Sequence, residues 1–258
     1  MKKATRLASV LVGLALIVSG TTFGCAEEDA AHTTTENADE NAQLDTSSTS
    51  PSQDTKDMDI IALPAPRLEG PVSLEETIAK RRSLRDYTDE PLSLEELSQL
   101  LWAMQGITSP HGGRAAPSAG GTYPLEIYVA SAAVTGVPPG VYRYRPAGHD
   151  LTLVVGGDVR ASLEAASLNQ QWVGDAPVDI VVAAVYERTT GTYGERGVRY
   201  VHMEAGHTAQ NLYLQATGLG LGAVVVGAFY DEDLQALLHM SPEETPLYVI
   251  PVGRPLSR

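Results

Sequence analysis

The most informative part of this chain is Arg114-Ala-Ala-Pro-Ser-Ala-Gly-Gly-Thr-Tyr-Pro-Leu-Glu-Ile-Tyr-Val129, where a loop of small residues runs directly into a strand. Ala, Gly and Ser add little bulk, so the loop backbone can approach a flat or charged group closely. Pro117 and Pro124 stiffen its ends. After Pro124, apolar residues alternate with Glu126 and Tyr128, which predicts a half-buried strand. A glycine-rich turn before a strand is common, so its meaning depends on the flanking sequence.

The composition predicts one good-sized globular domain with an appendage. The chain has 258 residues, is 43% hydrophobic and carries a formal net charge of -14. Such a hydrophobic content is enough for a core. So acidic a chain argues against nucleic-acid binding, since phosphate backbones require a basic surface. A small anionic cofactor in a local basic pocket stays compatible with this charge.

Residues 1–25 have the pattern of a secretory signal peptide. Three basic residues precede an uncharged, apolar-rich run from Leu7 to Phe23. Cys25 follows and is the only cysteine in the chain, so an internal disulfide is excluded. The spacing is similar to a bacterial lipoprotein signal, which predicts lipidation of Cys25 and a membrane-anchored protein facing the periplasm or the cell exterior. An uncleaved anchor helix and plain secretion are the alternatives.

Residues 26–60 predict a disordered acidic tether. They contain ten acidic residues and one lysine, and almost no large apolar side chain. Such a segment cannot bury enough apolar surface to fold. The folded domain is therefore expected to occupy residues 61–258.

Sequence patterns in this domain predict helices and strands that together form an α+β fold with a mostly antiparallel sheet. Capping-box sequences at Ser73 and Ser93 begin two helices, the second ending at Gly106. The other predicted elements are a hairpin (141–145 and 151–155), helices at 158–168 and 231–239, a central strand (178–186), and strands at 223–226 and 247–250. Three glycines in residues 187–198 predict a mobile loop.

A long helix is predicted over residues 200–217, with a stripe of mostly small apolar side chains. This stripe permits very close packing. Two partners are open for it: the sheet of the same chain, or a second subunit.

Four residues near the end of the first helix form a candidate anion site: Arg81, Arg82, Ser83 and Arg85. Residues 81 and 85 are four apart and can face one anion, with the Ser83 hydroxyl between them. The alternative is that these arginines only complement the negative end of the helix dipole. A second basic site, at Arg254, lies near the C-terminus.

Taken in order, five motifs resemble the nitroreductase family of flavoproteins. They are Arg81-Arg-Ser-Leu-Arg-Asp-Tyr87, Pro117-Ser-Ala-Gly-Gly-Thr-Tyr-Pro124, Glu204-Ala-Gly-His-Thr-Ala-Gln-Asn-Leu-Tyr-Leu-Gln215, Gly218-Leu-Gly-Leu-Gly222 and Pro251-Val-Gly-Arg254. The Gly-Gly-Thr-Tyr-Pro-Leu-Glu form is similar to the SagB-type (ThcOx-like) dehydrogenase branch. The resemblance covers about residue 74 to the C-terminus.

The resemblance implies a nitroreductase-like fold and a homodimer that binds FMN at the subunit interface. Arg81, Arg82, Ser83, Arg85 and Arg254 would hold the phosphate and ribityl chain. Pro117, Ser118 and Ala119 would lie along the isoalloxazine, from the partner subunit. Gly227 and Ala228 would present a backbone N–H near flavin N5.

Two positions depart from the pattern of the family. Gly121 and Tyr123 occupy a region where nitroreductases often have Asn and Gln. In SagB-type peptide-azoline oxidases a Lys-Tyr pair is implicated in proton removal, and the matching pair here is Arg199-Tyr200. Arg stays protonated and is a poor general base, which weakens the azoline interpretation and leaves Tyr200 as the candidate proton donor or acceptor.

Two other patterns carry no site. His202 and His207 are five apart, which is not the spacing of a helical zinc pair. Gly218-x-Gly-x-Gly222 follows a helix and precedes a strand, the reverse of a dinucleotide-binding loop. No metal site is therefore predicted.

The sequence thus predicts an exported FMN-dependent oxidoreductase that transfers hydride through flavin N5 to or from a small organic substrate, with NAD(P)H as a possible electron donor. The alternative is a lipoprotein that binds or sequesters flavin without turnover.

Overall fold

The structure, a computed structural model, describes residues 60–256. The predicted signal peptide, Cys25 and residues 26–59 of the predicted tether lie outside the described residues. Ile60, assigned above to the tether, is instead the first residue of a strand, because it pairs with Thr152. Within the described range, no helix combines the length and the apolar character that crossing a membrane requires.

Residues 60–256 form seven strands and seven α-helices. The strands are β1 (Ile60–Ala62), β2 (Leu125–Ser131), β3 (Gly140–Arg145), β4 (Asp150–Gly156), β5 (Val178–Val185), β6 (Gly222–Ala223) and β7 (Glu244–Gly253). The helices are α1 (Leu74–Lys80), α2 (Leu94–Gln105), α3 (Arg160–Ala166), α4 (Gln171–Gly174), α5 (Glu187–Tyr193), α6 (Arg196–Gly218) and α7 (Asp231–Leu237). A 3-10 turn, Ala119–Gly121, lies in the small-residue loop.

All seven strands belong to one sheet in the order β1-β4-β3-β2-β5-β7-β6, and every pairing is antiparallel. This confirms the predicted α+β class and the antiparallel sheet. Strand β5 is buried along its whole length, between β2 and β7, as its run of apolar residues predicted. The predicted hairpin is β3 and β4.

Strand β7 is longer than the apolar run at 247–250 predicted. It includes Pro246 and Pro251, which the sequence pattern placed outside the strand. Pro has no backbone N–H to donate, so it is tolerated where a strand is not fully hydrogen-bonded to a neighbour on one side. The outer neighbour β6 pairs only with Val252 and Gly253, so neither proline has to donate to a strand there.

The core has two layers, one on each face of the sheet. Helices α2 and α6 cover one face and α3, α4 and α7 the other. The stripe of α6 is fully inside the first layer: Val201, Ala205, Ala209, Leu212 and Ala216 are at most 5% exposed. The interpretation of this stripe as the dimer contact is therefore wrong, because these side chains already pack within one protomer. A partner on α6 would meet its other face, where Met203 is 52% exposed.

The predicted mobile loop at 187–198 is also wrong, since α5 and the start of α6 occupy it. The glycines make a sharp helix-to-helix turn instead. Gly194 ends α5 with a φ of +58°, a conformation that favours glycine. Gly197 lies in the first turn of α6, where a Cβ would lie 2.8 Å from the backbone of Thr190. Backbone therefore packs on backbone where the two helices meet.

Gly197→Ala is expected to destabilise the protein by about 1–3 kcal/mol, because the new methyl group would have to push α5 away from α6. Gly191→Ala is the matched control, since Gly191 lies inside α5 with open space around it. This control should raise stability by about 0.5–1 kcal/mol through helix propensity. Urea unfolding measures both, and a Gly197→Ala protein as stable as wild type would contradict the close packing.

Candidate functional site

The candidate anion site begins at the C-terminal end of α1. The Arg81 guanidinium lies over the ring of Tyr213, 5.0 Å from its centroid. Ser83 Oγ lies 3.1 Å from the hydroxyl of the same tyrosine. Arg82 Nη1 donates to the carbonyls of Ala79 and Arg81, at 3.0 and 2.7 Å. Arg82 thus makes the helix-terminus contacts of the alternative interpretation, whereas Arg81 and Ser83 are organised by α6.

Arg85 lies two residues after Ser83, and its side chain is exposed. Its guanidinium lies 5.2 Å from the centroid of the Trp172 ring, which α4 supplies. A cation–π contact of this kind favours one placement of the long Arg85 side chain at the surface. Arg85 is therefore available to an anion.

Arg254 follows β7 and is brought beside the same segment, because the backbone N–H of Thr88 donates to its carbonyl at 2.8 Å. Its guanidinium is bound to carboxylates. Nη2 donates to both oxygens of Glu96 at 3.0 Å, and Nε lies 3.1 Å from Glu90. Glu96 is also the carboxylate of the capping box at Ser93, so Arg254 ties the end of β7 to the start of α2.

Gly227 and Ala228 are exposed and follow the bridge that joins Val226 to Val249. Two contacts hold this segment. The N–H of Val225 donates to Tyr213 Oη at 2.8 Å, and Gln170 Nε2 donates to the carbonyl of Ala228 at 2.9 Å. The backbone here is open to solvent and fixed in position, as a contact with a ligand requires. We call Arg81–Arg85, Gly227, Ala228 and Arg254 the arginine half-site.

The small-residue loop is held in a strained conformation. Tyr123 has a φ of +46°, which is uncommon for a bulky residue. Its N–H donates to Ser118 Oγ at 2.9 Å, and its hydroxyl accepts from the N–H of Arg114 at 3.2 Å. The Arg114 guanidinium also lies 4.4 Å from the centroid of the Tyr123 ring. These contacts fix the backbone of Pro117–Ala119 from behind.

Helix α5 packs directly on this loop. Thr189 Oγ1 lies 2.7 Å from Thr122 Oγ1, and Arg188 donates to the carbonyl of Tyr123 at 3.1 Å. Tyr193 reaches the backbone of Gly120, where a Cβ would come within 2.6 Å of its hydroxyl. The segment that the sequence predicted to be a mobile loop is therefore a helix that packs on the small-residue loop.

Tyr200 belongs to the same neighbourhood. Its ring stands edge-on to Tyr193, with centroids 5.2 Å apart, and its hydroxyl accepts from Arg196 Nε at 3.2 Å. Since this hydroxyl accepts from Arg196, its own O–H can donate to a ligand. We call Pro117–Ala119 and Tyr200 the loop half-site.

Glu204 lies behind the loop half-site, one turn further along α6, and is 2% exposed. The Ser118 and Gln105 side chains face its carboxyl, and burial raises the pKa of this carboxyl. Its Oε1 has no hydrogen-bond partner among residues 60–256. The sequence analysis quoted Glu204 in a motif but assigned it no role. Its partners, Ser118 and Gln105, lie far from it in sequence.

The two half-sites lie at different points along α6 in one protomer. Tyr213 anchors the arginine half-site and Glu204 lies behind the loop half-site, nine residues apart in the helix. At 1.5 Å per residue this is about 13 Å along the helix axis. Backbone hydrogen bonds join the segment of Arg81–Arg85 to the segments before Gly227 and at Arg254, whereas Pro117–Ala119 and Tyr200 are linked to a different part of α6.

The described residues also line a cavity of about 760 Å³ between α1, α2 and α6. Gln99, Trp102, Asn211 and Gln215 contribute to its wall. No predicted site residue lines this cavity. In the same range, no group of three or more His, Cys, Asp or Glu side chains is placed to hold a metal ion.

Comparisons of the sequence and the fold with known proteins point to one family. The sequence profile described as "Nitroreductase family" matches residues 78–254. A Methanocaldococcus jannaschii protein that carries the name nitroreductase is 50% identical over 183 residues, covering 71% of this chain and 91% of the relative. The FMN reductase [NAD(P)H] of Bacillus subtilis is 24% identical over 198 residues, covering 70% of this chain and 66% of that protein.

A solved structure agrees. The crystal structure of a nitroreductase homologue from Ralstonia eutropha superimposes with a TM-score of 0.67 at 35% identity, covering 77% of this chain and 90% of that chain. The chain belongs to the nitroreductase family of flavin-type oxidoreductases. The fold and the family that the five motifs predicted are thereby confirmed.

Proposed function

We propose that this protein is an exported, FMN-dependent oxidoreductase of the SagB-type branch that works as a homodimer on a small organic substrate. The observation that carries the proposal is that the two half-sites contact different parts of α6, at Tyr213 and at Glu204, about 13 Å apart along the helix axis. One half-site presents guanidinium groups and the other presents a loop of small residues. A second copy of the chain would bring its loop half-site to the arginine half-site of the first.

The arginine half-site fits a flavin phosphate in its donor chemistry. Arg81, Ser83 and Arg85 supply guanidinium and hydroxyl donors, and a phosphate dianion is stabilised by several such charge-assisted hydrogen bonds. Arg254 would join them by exchanging Glu90, whose side chain is 70% exposed, for a phosphate oxygen. Arg82, held on helix carbonyls, would contribute charge at longer range.

The loop half-site fits a planar ring. Pro117–Ala119 offers no bulky side chain, and the contacts of Tyr123 and α5 keep its backbone from moving. A preorganised surface binds a rigid ring with little loss of conformational entropy. Across the ring, Gly227 and Ala228 would present backbone N–H groups near flavin N5.

When bound, FMN supplies hydride acceptance and donation at N5, which no amino-acid side chain provides. The chain would bind and orient the ring and handle the accompanying proton. Tyr200 is the candidate for this proton, because its hydroxyl lies beside the guanidinium of Arg196. Arg199, the neighbour of Tyr200, is a poor general base.

The branch, the electron donor and the location are parts of the same proposal. The Gly-Gly-Thr-Tyr-Pro-Leu-Glu sequence supports the SagB-type branch. The name of the Bacillus subtilis relative supports NAD(P)H as donor. The apolar N-terminal run and Cys25 support export and lipidation, which the mass of the N-terminal peptide from membranes would test against a Cys25→Ala variant.

The deciding experiment is the visible spectrum of the purified full-length protein, followed by anaerobic addition of NADH, NADPH or dithionite and reoxidation by a nitroaromatic or a quinone. Flavin bands that bleach and recover support the oxidoreductase. Bands that dithionite bleaches but that no physiological donor reduces and no acceptor reoxidises would favour a flavin-sequestering protein. A colourless protein that does not take up added FMN would contradict the cofactor proposal.

A further inference from the structure

Tyr213 joins two segments of the arginine half-site that lie far apart in sequence. It lies on α6 and is half-buried. Its hydroxyl contacts Ser83 Oγ at 3.1 Å and the backbone N–H of Val225 at 2.8 Å. Ser83 belongs to the segment after α1, and Val225 lies two residues before Gly227.

One hydrogen bond of this hydroxyl has a defined direction. The N–H of Val225 can only donate, so the phenol oxygen accepts from it. The phenol proton is then available for Ser83 Oγ. With its oxygen occupied in this way, Ser83 can turn its own O–H outward to an anion.

The ring of Tyr213 acts on the same half-site. The Arg81 guanidinium lies over its face at 5.0 Å, an attraction that favours one orientation of a long, flexible side chain. Backbone pairing adds to this link, since the N–H of Leu84 donates to the carbonyl of Ala223 at 2.9 Å. The segments 81–84 and 223–225 are therefore linked to each other and to α6.

We propose that Tyr213 is a positioning residue that holds the phosphate-binding segment and the Gly227–Ala228 segment at a fixed separation. This inference rests on the proposed function, in which the first segment binds the phosphate of FMN and the second lies near its ring. The distance between the two ends of a rigid ligand is fixed, so a site that fixes the same distance beforehand binds it more tightly.

Three variants test this role. Tyr213→Phe removes both hydrogen bonds and keeps the ring under Arg81, whereas Tyr213→Leu removes the ring as well. Tyr142→Phe is the matched control, because it also removes a hydroxyl bond, to the carbonyl of Pro138 at 2.8 Å, but on β3. The measurements are the dissociation constant of FMN, the flavin visible spectrum and the hydrogen exchange rate of the Val225 amide.

Tyr213→Phe is expected to weaken FMN binding by roughly tenfold, the effect of about one net hydrogen bond, and Tyr213→Leu by more. The flavin spectrum should shift in both. Tyr142→Phe should lower stability and leave FMN binding unchanged. In the double variant Ser83→Ala/Tyr213→Phe, the loss should be smaller than the product of the two single losses.

Exchange of the Val225 amide is measured on the protein without flavin, where it should be faster in Tyr213→Phe than in wild type. This keeps the two proposals separable. If wild type binds no FMN, the proposed function fails, while faster exchange still supports the structural link. Wild-type exchange in Tyr213→Phe, or wild-type FMN affinity together with a stability loss like that of Tyr142→Phe, would overturn the positioning role.

Discussion

Replacing Arg85 and Arg254 together with alanine is expected to leave the purified protein without flavin. Both guanidinium groups lie at the arginine half-site, on segments that the bond from Thr88 to the carbonyl of Arg254 holds side by side. A charge-assisted hydrogen bond contributes about 1.5–3 kcal/mol, so losing two should raise the dissociation constant of FMN by roughly 10²- to 10⁴-fold. The visible spectrum and a titration with FMN measure the loss.

The single variants separate binding from stability. Arg85→Ala removes a contact with Trp172 and leaves the capping box of α2 intact. Arg254→Ala also removes the bonds to Glu96, and is expected to lower stability by up to about 1 kcal/mol because the pair is partly exposed. Arg145→Ala, which removes an exposed guanidinium together with its ion pair to the buried Asp150 on the hairpin, is the control for losing a paired arginine away from the arginine half-site.

Flavin bands that persist in Arg85→Ala/Arg254→Ala would show that the phosphate binds elsewhere. The contacts of Arg254 with Glu90 and Glu96 make its single variant the more informative one. If Arg254→Ala binds FMN like wild type and Arg85→Ala does not, Arg254 serves the fold and Arg85 the ligand.

The second large effect concerns Asp179, a carboxyl near the start of β5. It is fully buried, and within residues 60–256 neither of its oxygens has a hydrogen-bond partner. Burial raises the pKa of this carboxyl well above its usual range, and the charge of Arg160 opposes the shift. The folded state therefore holds the proton more tightly than the unfolded chain.

Stability should consequently fall as the pH rises. Above about pH 4 the unfolded chain releases the proton of Asp179 and the folded protein keeps it, up to its raised pKa. Because the folded state binds more protons, its free energy of unfolding decreases across this window. At neutral pH the carboxyl is thus a net destabilising group.

Asp179→Val is expected to raise the free energy of unfolding at pH 7 by about 1–3 kcal/mol, since it removes a buried unpaired polar group. Asp179→Asn should raise the free energy of unfolding by less than Asp179→Val at pH 7, and near pH 4 its free energy of unfolding should equal that of wild type. Both should flatten the decline of stability with pH. Urea unfolding at several pH values measures these differences.

Asp158→Asn provides the opposite control. Hydrogen bonds from Arg160 lower the pKa of the Asp158 carboxyl, so its pair stabilises the protein above the unfolded pKa and is lost as the pH falls. The pair is partly exposed, so the variant should lose at most a few tenths of a kcal/mol at neutral pH. An Asp179→Val protein less stable than wild type at pH 7 would contradict the cost assigned to the buried acid.

Much of the fold was predictable because its signals are local. Ser93 and Glu96 form a capping box three residues apart, and they begin α2 as predicted. The apolar run of β5 predicted a strand buried on both faces. The glycines between β5 and α6 also marked a real reversal of the chain, but glycine content alone cannot distinguish a mobile loop from two helices packed backbone to backbone.

The candidate site was predictable only in part. The arginines and the small-residue loop were found because their residue types suit a phosphate and a flat ring. The sequence did not reveal that Arg82 bonds to carbonyls of its own helix, or that carboxylates bind Arg254. Nor did it reveal Tyr213, which reads as one more helical residue in the motif.

By itself, the sequence determined most of the helices and strands, the antiparallel α+β class and the types of residue available to an anion, since these follow from neighbours within a few positions. Only the tertiary structure decided which of these residues meet. Ser83 and Tyr213 are 130 residues apart, and Arg254 and Glu96 are 158 apart. It also turned the small-residue stripe of α6 inward. Such contacts arise when the sheet and α6 pack together, because burial of apolar surface, not local propensity, sets which distant segments adjoin.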